Sequence, residues 1–168
     1  MAAERNAPCP CGSGLKYKKC CLNNGVTAPK KLLGITPAEL VGNRVEAFRR
    51  NDFGFIYDTY HPDSNFRLQF PSRSDYIKYG QATLDKDYRI NSCDILQHRQ
   101  LNETRAQVLF FLSVHYQRQD LEYFELSEFH LHQGQWYYLE SHRLERAEFS
   151  GSVEEITYEK MEQSGICF

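Results

Sequence analysis

The chain has 168 residues, of which 41% are hydrophobic, 14% aromatic and 25% charged, and its formal net charge is −2. This composition is typical of a globular protein and excludes a chain that is disordered or collagen-like throughout. The balanced charge also excludes phosphate affinity spread over the whole protein. The longest apolar run, Val108 to Leu112, is far shorter than the roughly 20 residues that a membrane-spanning helix needs.

The cysteines are unevenly distributed along the chain. Four of the six lie close together near the amino terminus, at Cys9, Cys11, Cys20 and Cys21. No apolar stretch precedes them that would serve as a secretory signal, so we expect a cytoplasmic protein with reduced thiols. In a reducing compartment such clustering favours a metal site.

The spacing of these cysteines suits zinc. A C-x-C pair and a C-C pair on either side of a short glycine-containing loop can supply the four thiolates of a structural zinc site. Gly12 and Gly14 allow the tight turn that this arrangement needs. A segment this short buries little core, so bound Zn²⁺ would supply most of its folding free energy. Two disulfides, a redox motif and an iron–sulfur cluster are the alternatives, although the spacings fit neither of the last two.

The same region is basic. Within residues 1–33 the acidic residue is Glu4. The basic residues of the same stretch are Arg5, Lys16, Lys18, Lys19, Lys30 and Lys31. These side chains either balance the charge of the thiolates or present a cationic surface to an acidic protein or to RNA. Tyr17 adds one stacking group, too few to indicate nucleic-acid recognition.

Residues 26–36 are predicted to be a linker, after which a helical pattern begins. Thr36 suits an N-cap, Pro37 the first helical position, and Glu39 completes a capping box. The helix places three apolar side chains on one face, namely Val41, Val45 and Phe48. A second helix, recapped after Asn51-Asp52, carries Phe53, Ile56, Tyr57 and Tyr60 and stops at Pro62. A third is predicted after Ser72 or Ser74, through Tyr76, Ile77, Gly80 and Leu84.

From residue 88 the pattern changes to that of strands. The alternating, β-branched and aromatic stretches are 88–100, 104–118, 121–132 and 135–143. The breaks between them, at 101–103, 119–120 and 133–134, have hairpin length. Helices followed by a meander predict an α+β domain with helices on one face of an antiparallel sheet. Residues 145–168 are acidic and are expected to form a short helix or a partly ordered tail.

Strand register predicts a candidate pocket on one sheet face. If the chain turns at 119–120 and at 133–134, residue pairing across the strands makes one sheet face apolar except for four polar groups. These groups are Glu125, Ser127, Glu140 and His142. In this register Glu125 lies opposite His142, and Ser127 opposite Glu140. Together with Tyr138, these groups are typical of a small-molecule site, and a carboxylate beside an imidazole suits acid–base chemistry. The alternative is a structural cross-strand pair with the aromatic residues as core.

The other sheet face has a mixed aromatic character. It carries Phe111, His115, Phe124, Leu126, His130 and Leu139 and would suit a homodimer or partner surface. His130 and His132 share one face of a strand, which would allow metal binding, although solvated histidines are the simpler interpretation. Cys93 and Cys167 are expected to be ordinary thiols.

The segment Cys9–Cys21, with the sequence CPCGSGLKYKKCC, resembles the SEC-C motif. This motif is the zinc-binding tail of the translocation ATPase SecA and also occurs in many otherwise unrelated bacterial proteins. The resemblance implies that Cys9, Cys11, Cys20 and Cys21 are the zinc ligands. In SecA such tails contact a chaperone and the ribosome. Leu15 stands where the family usually has a basic residue, which would affect a partner contact rather than the metal site.

The stretches 125–129 and 134–138 resemble the YchJ family, in which a SEC-C motif is fused to a nuclear transport factor 2-like domain. The resemblance implies a cystatin-like cone of three helices on a curved antiparallel sheet. Many members end in a second SEC-C motif, whereas only Cys167 lies near the end of this chain. The expected organisation is a SEC-C motif at 1–25, a linker at 26–36, the α+β domain at 37–144 and an acidic tail at 145–168.

The family has no settled biochemical activity, so function is a hypothesis. We expect a zinc-binding adaptor whose SEC-C module docks a protein or ribosomal partner, with an α+β body that binds a ligand or dimerises. The alternative is a small-molecule-binding protein or enzyme that uses the concave pocket.

Overall fold

The structure is a computed structural model that describes residues 4–7, 16–19, 32, 34–164 and 166–167. The chain divides into two compact units, Met1–Leu32 and Leu33–Phe168, which we call the cysteine unit and the body. In the cysteine unit, Tyr17–Lys19 forms a 3₁₀ turn. No helix in the described part of the chain has the length and apolar character needed to cross a membrane.

The body begins with helix α1 (Pro37–Arg49), and the predicted cap is confirmed. The Glu39 backbone N–H donates to Thr36 Oγ1 at 3.2 Å, and the Thr36 backbone N–H donates to Glu39 Oε2 at 2.7 Å. These reciprocal bonds satisfy donors that a helix end otherwise leaves unpaired. The predicted face is also confirmed at Val41 and Val45, which are buried against the sheet.

Three further helices continue the helical layer: α2 (Phe53–Asp58), α3 (Asn65–Gln69) and α4 (Arg73–Tyr79). Asp52 and Ser72 cap α2 and α4 as the sequence indicates. Helix α3 was not predicted, and it begins where the Ser64 hydroxyl accepts a hydrogen bond from the Arg67 backbone N–H. A π-helical turn (Gly80–Leu84) and the single turn α5 (Asp85–Asp87) lead into the sheet.

The sheet confirms the α+β class. Its long strands are β1 (Tyr88–Asn102), β2 (Arg105–Tyr116), β3 (Gln119–His132) and β4 (Gln135–Glu145). They form an antiparallel meander in sequence order. The loop predicted at 119–120 is wrong, because β2 and β3 are joined at Gln117 and Arg118, with φ of 49° and 66°. The loop at 133–134 is confirmed.

The segment after β4 belongs to the body rather than trailing from it. It forms 3₁₀ turns at Arg146–Glu148 and Val153–Glu155, helix α6 (Tyr158–Ser164) and β5 (Ile166–Cys167), which pairs with β4. Its Ile156 and Met161, 1% and 0% exposed, pack in one apolar cluster with Leu109, Phe124, Leu126 and Leu144.

This packing corrects the expectation that the second sheet face is a free dimer or partner surface. Phe124 and Leu126, two of the residues proposed for that surface, are 0% and 1% exposed. Residues of the acidic carboxyl-terminal segment cover them. Arg99 of β1 helps to hold the carboxyl-terminal segment against the sheet. Its guanidinium lies 4.0 Å from the Tyr158 ring centroid and pairs with Glu162.

Candidate functional site

The four predicted zinc ligands, Cys9, Cys11, Cys20 and Cys21, lie outside the described residues. The described residues on either side of Cys9 and Cys11 are joined by hydrogen bonds. The Tyr17 backbone N–H donates to the Ala7 carbonyl, and the Lys18 N–H donates to the Arg5 carbonyl, both at 2.9 Å. None of the described residues of this unit is buried.

The body contains a cavity of about 240 Å³ between α1 and the concave face of the sheet. Its apolar wall is formed by Val41, Val45, Phe48, Ile90, Phe110 and Leu112. Its polar lining consists of Arg44, Tyr60, Tyr88, Tyr123, Glu125, Tyr138, Ser141 and Arg143. An apolar cavity with a few convergent polar groups is the usual form of a small-molecule site.

Glu125 is the carboxylate of this cavity, and it is 7% exposed. The Ser127 hydroxyl donates to its Oε1 at 2.9 Å, and the Tyr138 hydroxyl donates to the same oxygen at 3.1 Å. Its other oxygen, Oε2, lies 3.7 Å from an Arg143 guanidinium nitrogen. Three of the polar pocket candidates, Glu125, Ser127 and Tyr138, therefore meet at one point.

The other two candidates do not join them. Glu125 lies opposite Arg143 and Ser127 opposite Ser141, so the predicted pairings with His142 and Glu140 are wrong. The cause is a β-bulge in β4: Phe129 pairs with Tyr138, but Glu128 pairs with Glu140, which leaves an extra residue between them.

The bulge moves His142 and Glu140 to the other sheet face. His142 lies opposite Leu126, and its Nδ1 is buried without a hydrogen-bond partner among the described residues. Glu140 lies opposite Glu128. Since His142 is turned away, the predicted carboxylate–imidazole pair for acid–base chemistry is not formed.

Arg44 also lines the cavity, although the sequence did not predict it as a site residue. It projects from α1, is 7% exposed, and donates from Nη1 to Thr59 Oγ1 at 2.7 Å and to the Ile56 carbonyl at 3.3 Å. Its guanidinium carbon lies 4.3 Å from the ring centroid of Tyr60 and 4.6 Å from that of Tyr138. A signal was present, because an arginine at this position shares the helix face of Val41 and Phe48.

Tyrosines supply the remaining hydroxyls around Glu125 and Arg143. Burial raises the pKa of Tyr88, Tyr123 and Tyr138 above the ordinary tyrosine value, so all three hydroxyls stay neutral near pH 7. The Arg143 guanidinium lies 3.9 Å from the Tyr123 ring centroid. The charged side chains of the lining are therefore Arg44, Arg143 and Glu125.

The predicted histidine pair lies outside this cavity, and the structure adds a third imidazole beside it. The His61 ring centroid is 5.5 Å from that of His130 and 5.9 Å from that of His132. His130 Nε2 is hydrogen-bonded to Glu128 Oε1 at 2.8 Å. Within residues 4–7, 16–19 and the described body, no three His, Cys, Asp or Glu side chains are arranged to hold a metal ion.

A wider groove of about 480 Å³ lies between α1 and β1. Its lining includes Cys93, Ile95, Glu39, Glu46 and Arg49. The charged groups are already engaged, because Glu39 belongs to the α1 cap and Glu46 pairs with Arg49 at 2.8 Å. The cavity lined by Glu125 and Arg44 is less open to solvent than this groove and is therefore the better candidate site.

Comparison with known proteins identifies both parts of the chain. A profile described as "YchJ, middle NTF2-like domain" matches residues 36–141, and the SEC-C motif profile matches residues 5–23. A UPF0225 protein of Geobacter sulfurreducens is 40% identical over 57 residues, which are 33% of this chain and 32% of that protein. The protein translocase subunit SecA of Carboxydothermus hydrogenoformans is 81% identical over 21 residues, 12% of this chain and 2% of SecA. The matched segments thus span a third or less of these two relatives.

A solved structure supports the fold. The solution structure of a SEC-C motif containing protein from Rhodopseudomonas palustris matches with a TM-score of 0.51 and 21% identity. The match covers 80% of this chain and 97% of that one. Since the domain profile spans more than half of the sequence, the family resemblance is confirmed, and the chain belongs to the YchJ family, with a SEC-C motif ahead of its NTF2-like domain.

Proposed function

We propose that this protein is a zinc-binding adaptor. The observation that carries the proposal is the SEC-C match over residues 5–23, which includes Cys9, Cys11, Cys20 and Cys21. Four thiolates fit a structural Zn²⁺ site with no open position, so the ion would order the unit and supply no catalytic step. The hydrogen bonds that join residues 5–7 to residues 17–18 are consistent with a closed metal-bound loop.

The docking role is proposed from charge. Arg5, Lys16 and Lys19 are exposed in the cysteine unit, which forms a compact unit of its own. A cationic surface of this kind favours an acidic partner, either a protein or the ribosome. The likeness of the motif to a segment of SecA supports a protein-docking role of the same general kind.

Zinc content tests the metal part of the proposal. Freshly prepared, reduced protein should contain about one zinc per chain, and Cys20→Ser should lose it. The matched control is Cys93→Ser, which removes a half-buried thiol of β1 outside the motif. Retention of zinc by Cys20→Ser, or equal loss from both variants, would contradict the assignment.

Charge reversal tests the docking part. Changing Lys16, Lys18 and Lys19 together to Glu should abolish cosedimentation with purified ribosomes, or crosslinking to a protein partner, while zinc stays bound. The matched control reverses the charge of three exposed lysines of the body, Lys78, Lys86 and Lys160, by the same change to Glu. The net charge change is the same, so equal loss in the control would show that binding follows overall charge and that no docking surface exists.

A second function, small-molecule binding in the body, is favoured by the cavity and its convergent groups Glu125, Tyr138 and Arg44. A Val45→Trp variant would fill the cavity and should abolish binding of small neutral probes such as benzamide, measured by calorimetry. The control is Leu68→Trp at a site that is 74% exposed. Equal binding by both variants would place the probe elsewhere.

A further inference from the structure

On the basis of the ligand-binding function proposed for the body, we propose that the cavity selects small organic monoanions, with the Arg44 guanidinium as the group that receives the anionic end. The ligand class expected is a carboxylate on a compact aromatic or aliphatic body. The argument rests on the partners of Arg44, the charges of the lining and the size of the cavity.

Arg44 is a buried cation with no carboxylate partner among the residues that the structure describes. It contacts a threonine hydroxyl, a main-chain carbonyl and two tyrosine rings. Burying a charge without an ion of opposite sign is unfavourable, and stacking on aromatic rings offsets only part of that cost. Because Arg44 also lines the cavity, an anion bound there would complete its interactions.

The charges of the lining leave one positive group unmatched. Glu125 Oε2 lies 3.7 Å from Arg143 and balances that guanidinium. Tyr88, Tyr123 and Tyr138 are neutral hydroxyls and add no negative charge. A monoanion would neutralise Arg44, whereas a dianion would leave a buried excess of negative charge, which is costly.

The volume of the cavity limits the size of the group that carries the carboxylate. At about 240 Å³, it exceeds the ~150 Å³ of an engineered cavity that binds benzene, so it has room for one ring or a short chain with a carboxylate. The apolar wall, which includes Val41, Val45 and Phe110, would hold that ring or chain.

Isosteric probe pairs test the selection. We would measure the affinity of the full-length protein for benzoate against benzamide, and for hexanoate against hexanamide, by calorimetry at pH 7. A charge-assisted contact should favour each acid anion over its amide by about tenfold or more. Arg44→Gln should abolish that preference, while Glu125→Gln, which removes the negative charge of the lining, should strengthen anion binding.

The outcomes separate this inference from the function on which it rests. If none of the four probes binds, small-molecule binding in the cavity is wrong. If the amides bind as well as the anions or better, the cavity binds ligands but the monoanion preference is wrong. If Arg44→Gln does not fold, Glu125→Gln decides the question, and weaker or unchanged anion binding in that variant overturns the proposal.

Discussion

The cysteine unit and the body differ in what can hold them together. The described residues of the cysteine unit include no buried side chain, although backbone bonds join two of its segments. The body has fully buried residues on both faces of its sheet, such as Phe129 on one and Phe124 on the other. The contrast fits the proposed zinc site, in which a bound metal would stabilise the short unit as apolar burial stabilises the long one. Metal loss should therefore leave the body folded, and core damage should leave zinc bound.

Phe124→Ala should produce the largest effect on the body. Phe124 is 0% exposed and packs in the cluster with Ile156 and Met161. Truncation should lower the free energy of unfolding by about 3–5 kcal/mol, because it removes apolar contacts and leaves a cavity. Chemical denaturation measures the change, and the zinc content should stay the same. Leu121→Ala at a 37% exposed site is the control, with a loss below about 0.5 kcal/mol.

Thiol reactivity should distinguish Cys93 from the motif cysteines. Burial raises the pKa of Cys93 from 9.0 to about 11, so its thiolate is about 100-fold scarcer near neutral pH than that of an unshifted thiol. Iodoacetamide labelling followed by mass spectrometry should leave Cys93 unmodified at pH 7.5. The four motif cysteines should label rapidly, but only after chelation of zinc. Rapid labelling of Cys93 in the folded protein would contradict its burial.

Thr36→Ala should have a moderate effect. The variant removes the hydroxyl that caps α1 and should cost about 1 kcal/mol of body stability. Thr36→Ser keeps the hydroxyl and should cost much less. Equal losses in the two variants would show that the cap does not stabilise the body.

Arg118→Gly should have the smallest effect, and a favourable one. Arg118 has a φ of 66°, which is strained for a residue with a Cβ and unstrained for glycine. We expect a gain of about 0.5 kcal/mol in the unfolding free energy. Arg118→Ala retains the Cβ and should bring no gain. Destabilisation by the glycine variant would mean that the hairpin does not turn at this residue.

Local rules predicted much of the fold. Thr36, Pro37 and Glu39 marked the start of α1 because caps depend on neighbouring residues alone. The β2–β3 loop was misplaced, because Gln117 and Arg118 lack the residue types that favour such turns. That error displaced the register by an even number of residues, so Phe110 and Glu125 still share a face as predicted.

The features of the fold and the site that the sequence did not predict depend on contacts between residues far apart in the chain. A single bulge in β4 moved His142 to the opposite face, and no residue type in the strand indicated where the extra residue lies. Phe124 is buried by Ile156 and Met161. These are two apolar residues in an acidic stretch that has no clear helical or strand periodicity of hydrophobic residues. Arg44 was identifiable as a charge on an apolar helix face, but its ring partners come from Tyr60 and Tyr138, distant in sequence.

The most direct test follows both units at once during zinc removal. Trp136 is the one tryptophan of the chain and lies in β4, so its fluorescence reports unfolding of the body. Reduced protein treated with a chelator should release about one zinc per chain, while the midpoint of the thermal transition seen by Trp136 stays unchanged. Protein that holds no zinc before treatment, or a Trp136 midpoint that falls as zinc leaves, would contradict the account.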